Sequence, residues 1–146
     1  MSNVKFKATV EAKDGLTMEC ASREFKFTLD EPDSLGGNNK GMNPVEALLN
    51  ALGACKAIVA RCFAEARGIN IKDLRIELEG TLDPDGFQGN NPEAKIGLSA
   101  IHTKYYFDSD NTDEELKDFV EFMGKTCPVM DTIVNAPAFS EEIIRL

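Results

Sequence analysis

A long apolar stretch, residues 43–67, constrains the fold of this chain more than any other feature. Asn43 can cap a helix, Pro44 suits the first helical position, and Glu46 lies where a capping box places its carboxylate. The stretch is rich in Ala and Leu and has few charges in its first half, and Gly68 follows it as a stop signal. It therefore predicts a helix that is largely buried and central to the domain.

Strands are predicted both before and after this helix in the sequence. Apolar and polar residues alternate through the first thirty residues, with the turn signal Asp14-Gly15 between runs, which predicts a three-stranded antiparallel meander. Residues 71–82, 95–107 and 138–144 are also predicted strands. There are too few crossover helices for a parallel doubly wound sheet. We expect an α+β fold, with a mostly antiparallel sheet packed on the long helix.

Two shorter helical segments follow in the second half of the chain. Thr112 and Glu115 form a capping-box pattern, which predicts a helix that ends near Gly124. Cys127-Pro128 then begins a segment through Asn135 with the pattern of one or two helical turns.

Length and charge exclude several classes of protein. A chain of 146 residues predicts a single domain, residues 1–146. The net charge of −9 repels nucleic-acid phosphates and anionic membrane surfaces, so neither partner is expected. No apolar run approaches the ~18 residues of a membrane span, and no signal peptide is evident, which predicts a cytoplasmic protein. No cofactor is expected, and Gly36-Gly37 and Gly41 lack the spacing of a phosphate-binding loop.

The four cysteines are the candidates for chemistry. Thiols in the cytoplasm are mostly kept reduced, so a disulfide framework is not expected. No pair has C-x-x-C spacing, which argues against a zinc ribbon, any other such metal site, or a thioredoxin-type motif. We expect Cys20 and Cys62 to be packing residues.

The other two thiols each have two interpretations. Cys55 lies mid-helix, where a lone cysteine is usually a small buried hydrophobe. If Pro128 is the first residue of a helix, Cys127 is its cap, and the helix N–H groups then favour the reactive thiolate. Cys127 is equally well explained as an ordinary cap.

Asn43-Pro44, with Cys55 twelve residues after the asparagine, and the later Cys127-Pro128-Val129 together resemble the OsmC/Ohr family, in its OsmC-like (YhfA-like) branch. The resemblance extends over nearly the whole chain and implies an intertwined homodimer with sites at the subunit interface. It implies that Cys55 attacks a hydroperoxide and becomes a sulfenic acid, and that Cys127 resolves it as a disulfide. A thiol or dithiol would then reduce that disulfide, in a role in oxidative-stress defence.

The chain departs from the family pattern at two positions. The family's peroxidases carry an Arg in the loop before the Asn-Pro pair and a Glu directly after the proline, and both help to ionise the thiol. Here Val45 follows Pro44, and Glu46 is turned about 180° round the helix from Cys55. Glu46 is thus a capping or a catalytic residue. Lys40 is the cation that the loop offers, without the bidentate fork of Arg.

These departures keep other functions open beside a reductase for organic hydroperoxides. An apolar environment raises the pKa of a thiol, and the usual activating partners of Cys55 are missing. The alternatives are an OsmC-like dimer with little catalytic activity that binds a small molecule or thiol compound, and a redox sensor.

Overall fold

The computed structural model describes residues 2–146. Over that range the protein is a mixed α+β structure with antiparallel sheets, as predicted, and it has four α-helices where the sequence predicted three helical segments. The chain divides into two compact units, one that ends at Asn50 and one that runs Ala51–Leu146. A single domain stays a prediction. None of the helices in the described range combines the length and the apolar composition that crossing a membrane requires.

The first unit contains the predicted antiparallel meander. Strands β1 (Thr9–Ala12), β2 (Met18–Ser22) and β3 (Phe25–Leu29) pair in that order. Cys20 on the central strand is buried and pairs with a residue on each neighbour, so its predicted packing role is confirmed. The first strand begins later than the alternation from Val4 indicated.

A buried carboxylate organises the loop that follows β3. Asp30 is 1% exposed and accepts a hydrogen bond of 2.6 Å from the Thr17 hydroxyl. The backbone N–H groups of Glu31, Asn38 and Lys40 also donate to it, at 2.8, 3.2 and 3.3 Å. The Thr17 hydroxyl is the main cause of a pKa of about 2 for Asp30; burial opposes this shift, and the three amides add to it.

Helix α1 (Pro44–Phe63) is the predicted long helix. The Asn43 N–H donates to the Glu46 carboxylate at 2.9 Å, and the Glu46 N–H donates to Asn43 Oδ1 at 2.8 Å, so the predicted capping box is present. The helix ends sooner than expected. A separate 3-10 turn occupies Glu65–Arg67, and Gly68 then adopts φ of 70°, which suits glycine.

The second unit is built on a long antiparallel pair, β4 (Asp73–Leu82) and β5 (Leu98–Asp108). Both predicted strands are confirmed, with shifted ends. Helix α2 (Pro84–Gln88) follows β4, and the Asp83 side chain accepts from the Asp85 N–H and caps it. The five strands are thus divided between two sheets.

Two helices complete the second unit. Helix α3 (Asp113–Thr126) begins with the predicted Thr112 capping box but continues past Gly124, since a single glycine lowers helix stability without ending the helix. Helix α4 (Pro128–Val134) confirms the predicted short segment. The prediction of a final strand at residues 138–144 is wrong. This segment pairs with no other strand within residues 2–146, so it forms no ladder.

The core of the second unit lies between α1, the β4–β5 pair and α3. Gly53 allows a close approach of helix and sheet, since a Cβ there would lie 2.6 Å from a Leu78 methyl group. One face of α1 is covered in this way, whereas Ile58 on another face remains 62% exposed. The buried residues of the cluster are Leu52, Val59, Ala60, Ala64, Ile69, Phe119, Met123 and Cys127.

The carboxylate of Asp30 should make the stability of the protein depend on acid. Its pKa in the folded state, about 2, is below its ordinary value of 3.8, so its contribution is present above about pH 4 and is lost as pH falls toward 2. We expect Asp30→Asn to lower the melting temperature at neutral pH, and the difference from the unmutated protein to shrink on acidification. Melting curves followed by circular dichroism measure this. The exposed Asp33→Asn is the control, and an equal loss there would contradict the assignment.

Candidate functional site

The start of helix α4 holds a buried thiol. Cys127 is the N-cap of α4 and Pro128 is its first residue, as the sequence predicted. The Met130 N–H donates to Cys127 Sγ at 3.3 Å, which satisfies one of the free donors at the helix start. The Cys127 side chain is fully buried and belongs to the core of the second unit.

Cys55 of α1 lies beside this thiol. The backbone N–H of Val129 and the thiol of Cys127 both lie near enough to its sulfur to shift the pKa of Cys55. Two consecutive amides of α4 thus lie at the thiol pair: that of Met130 donates to Cys127 Sγ, and that of Val129 acts on the pKa of Cys55. The sequence indicated the two cysteines but not these amides, because nothing in the pattern around Cys55 shows which helix start it faces.

The electrostatic setting of Cys55 favours the protonated thiol over the thiolate. Burial raises the pKa of its thiol above the ordinary value of 9.0, the Val129 amide opposes that rise, and the neighbouring Cys127 adds to it. The predicted direction, a raised pKa in apolar surroundings, is confirmed. Within residues 2–146, the groups that shift this pKa include no cation and no carboxylate.

Cys55 lines an apolar cleft of about 550 Å³. The cleft follows α1 to Cys62 and Phe63 and is closed on one side by Thr126 and Pro128. Cys62 is exposed in this cleft, so its predicted packing role is wrong: residues 2–146 leave it open on this side of the helix. Cys55 itself is half-buried and opens toward the cleft.

The two candidates from the loop and the helix start belong to the first unit. The Glu46 carboxylate accepts the Asn43 N–H in the capping box. Lys40 is exposed, and its backbone N–H donates to Asp30, while its ammonium takes part in no ion pair within the described range. A catalytic role for either residue stays a prediction. In residues 2–146, no group of three or more His, Cys, Asp or Glu side chains is placed to hold a metal ion.

Comparison with known proteins identifies the class to which this fold and thiol pair belong. The family model described as OsmC-like protein matches residues 37–142, and the chain belongs to that family.

Two similar proteins and one similar structure come from mycoplasmas. A hydroperoxide reductase of Mycoplasma genitalium is 29% identical over 140 residues, which is 95% of this chain and 94% of that protein. A hydroperoxide reductase of Mycoplasma pneumoniae is 30% identical over 130 residues, 88% of this chain and 86% of the relative. The crystal structure of an OsmC-like protein from Mycoplasma pneumoniae superposes with a TM-score of 0.79 at 29% identity, covering 92% of this chain and 91% of that one.

The contact between Cys55 and Cys127 predicts a disulfide on mild oxidation. Treatment with diamide should remove the mass of two hydrogen atoms from the unmutated protein and join the peptides that contain these two residues. Intact-mass and peptide mass spectrometry detect both changes. Cys20→Ser and Cys62→Ser should still form the bond, whereas Cys55→Ser and Cys127→Ser should not. A bond that instead joins Cys55 to Cys62 would contradict the assigned pair.

Proposed function

We propose that this protein is a thiol-dependent hydroperoxide reductase that uses Cys55 as the peroxidatic residue and Cys127 as the resolving residue. The observation that carries the proposal is the contact between a half-buried and a fully buried thiol at the start of α4. The relatives named hydroperoxide reductase support the reaction class.

In the first step, the thiolate of Cys55 attacks the outer oxygen of a hydroperoxide. An S–O bond forms, the O–O bond breaks, and the alkoxide takes a proton and leaves as an alcohol. Cys55 is thereby oxidised to a sulfenic acid. The Val129 amide, already in contact with this sulfur, stabilises negative charge on it during the attack.

In the second step, the thiolate of Cys127 attacks the Cys55 sulfur. An S–S bond forms, and the hydroxyl of the sulfenic acid takes up the proton that the Cys127 thiol gave up on ionising and leaves as water. A small thiol or dithiol then donates two electrons, restores both thiols and is itself oxidised to a disulfide. The reaction needs no metal or organic cofactor, since the electrons pass only between sulfur and oxygen.

The cleft favours organic hydroperoxides over hydrogen peroxide. Its walls beside Cys55 are aliphatic and aromatic side chains, which gain from burying an alkyl or aryl group. Removal of such compounds fits a role in oxidative-stress defence. We place the protein in the cytoplasm, where small thiols are available as reductants.

We further propose a homodimer as the working form. Apolar side chains that this chain leaves uncovered include Ile58 on α1, 62% exposed, and Phe139 and Ile143 near the C-terminus, 84% and 95% exposed. Exposed apolar surface of this kind marks an interaction site. A second copy of the chain is the partner that would cover it, and the final segment, residues 138–144, would gain there the neighbour that a strand needs.

A second candidate function is a binding protein with little turnover, or a redox sensor whose disulfide alters a partner contact. The raised pKa of Cys55 favours it, because a protonated thiol is a poor nucleophile. A reductase should consume many equivalents of peroxide per protein molecule when a small thiol is supplied, even though its thiolate fraction near neutrality is small. Oxidation that stops at one equivalent under the same conditions favours a binding protein or a sensor.

We expect Cys55→Ser to abolish consumption of cumene hydroperoxide, because the attacking sulfur is lost. Cys127→Ser should stop turnover after one equivalent and leave a sulfenic acid on Cys55, which dimedone traps. A ferrous-xylenol orange assay and mass spectrometry measure these outcomes. Cys62→Ser, in the same cleft, is the matched control, and Lys40→Met and Glu46→Gln test the two remaining candidates. Equal turnover by Cys55→Ser and the unmutated protein would end the proposal.

The raised pKa of Cys55 predicts a strong pH dependence. Because the pKa of the Cys55 thiol is above its ordinary value of 9.0, the thiolate fraction near neutrality is small, and it grows as pH rises. The rate at low peroxide concentration should therefore increase about tenfold per pH unit from about pH 6 to about pH 8. Stopped-flow measurement of the first step gives this profile. A rate that is flat over the range would mean that the thiol is already ionised.

A further inference from the structure

Helix α1 carries a buried lysine on a face that does not line the Cys55 cleft. Lys56 is 6% exposed, although lysine is rarely buried unless it is paired with an acid. Its Nζ donates to the Tyr105 hydroxyl at 2.9 Å and lies 5.6 Å from the centre of that ring. Within residues 2–146 its ammonium makes no ion pair and no other hydrogen bond.

The position of this charge is costly to maintain. A buried ammonium loses its hydration, and a single neutral hydroxyl satisfies only one of its three donors. A methionine would fill the same space without that cost. Lys56 is therefore better explained by an acceptor that the chain itself does not supply.

Lys56 lines a cavity of about 290 Å³, at the lower end of the size of small-molecule sites. Thr103 of β5 also lines it, and its hydroxyl has no hydrogen-bond partner in the described part of the chain. The remaining walls are mostly aliphatic, and they include Leu52, Leu98, Ile101, Met130, Ile133 and Val134. A cation and a hydroxyl thus share one small space with an apolar surface.

We propose that this cavity binds an aliphatic monocarboxylate. The Lys56 ammonium and the Thr103 hydroxyl donate to the carboxylate, and the hydrocarbon chain lies along the side chains of α4. The net charge of −9 repels small anions in general, so an anion that binds must be held by a local cation. The site does not depend on the thiol chemistry proposed above.

Helix α4 connects this cavity with the thiol pair. The Met130 side chain lines the cavity, while the Met130 N–H holds Cys127 Sγ. A bound carboxylate would contact the helix that positions the sulfurs, without contacting the sulfurs themselves.

Isothermal titration calorimetry with sodium octanoate tests the proposal. We expect the unmutated protein to bind octanoate, and each methylene removed from the ligand to weaken binding about fourfold. Octan-1-ol and octylammonium should bind more weakly, because neither has a negatively charged hydrogen-bond acceptor. Lys56→Met should weaken octanoate binding by at least about tenfold, whereas Lys117→Met, an exposed site on α3 that loses the same charge, should leave it unchanged.

A second variant keeps the test informative if Lys56→Met does not fold. Val134 is 60% exposed and lines the cavity, so Val134→Trp should block the cavity while retaining Lys56 and the fold. Loss of octanoate binding in that variant supports the site. No heat of binding by the unmutated protein at millimolar ligand, or equal affinity in Lys56→Met and Lys117→Met, would overturn it.

Discussion

The candidate site depends on the backbone N–H groups at the start of helix α4 and on the two sulfurs beside them. A helix start leaves backbone N–H groups without partners, and here two consecutive ones lie at the sulfurs: that of Met130 donates to Cys127, and that of Val129 lowers the pKa of Cys55. Pro128 fixes the backbone at the first helical position, and it has no backbone N–H where that donor would have lacked a partner within the helix. The thiol pair is therefore positioned by the main chain.

Burial and these amides act on Cys55 in opposite directions. Loss of hydration raises the pKa of the thiol, and one amide offsets only part of that rise. The absence of a nearby cation that contributes resolvably to this pKa within residues 2–146 agrees with a sequence that lacks the family Arg and has Val45 after its proline. The chain thus places two thiols side by side and has a weak means of ionising Cys55.

Local signals in the sequence predicted the elements better than the contacts between them. The capping boxes at Asn43 and Thr112 and the cap at Cys127 are confirmed, because each depends on residues within one turn. The exposure of Cys62 and the missing strand at residues 138–144 were not predicted, because both depend on what lies beside them. The Lys56–Tyr105 contact joins distant residues, and no periodicity could indicate it.

The unequal exposure of the two thiols gives the proposed chemistry a fixed direction. Cys127 is fully buried and Cys55 is half-buried, so a molecule from solution reaches only the latter. Oxidising equivalents would enter at Cys55 and pass inward to Cys127. An external reductant would have to attack the same outer sulfur and would form its mixed disulfide there, releasing Cys127 as the leaving thiolate. The peroxide and the reductant would thus both react at the Cys55 sulfur. A bulky group attached to Cys55 would therefore block oxidation and reduction alike.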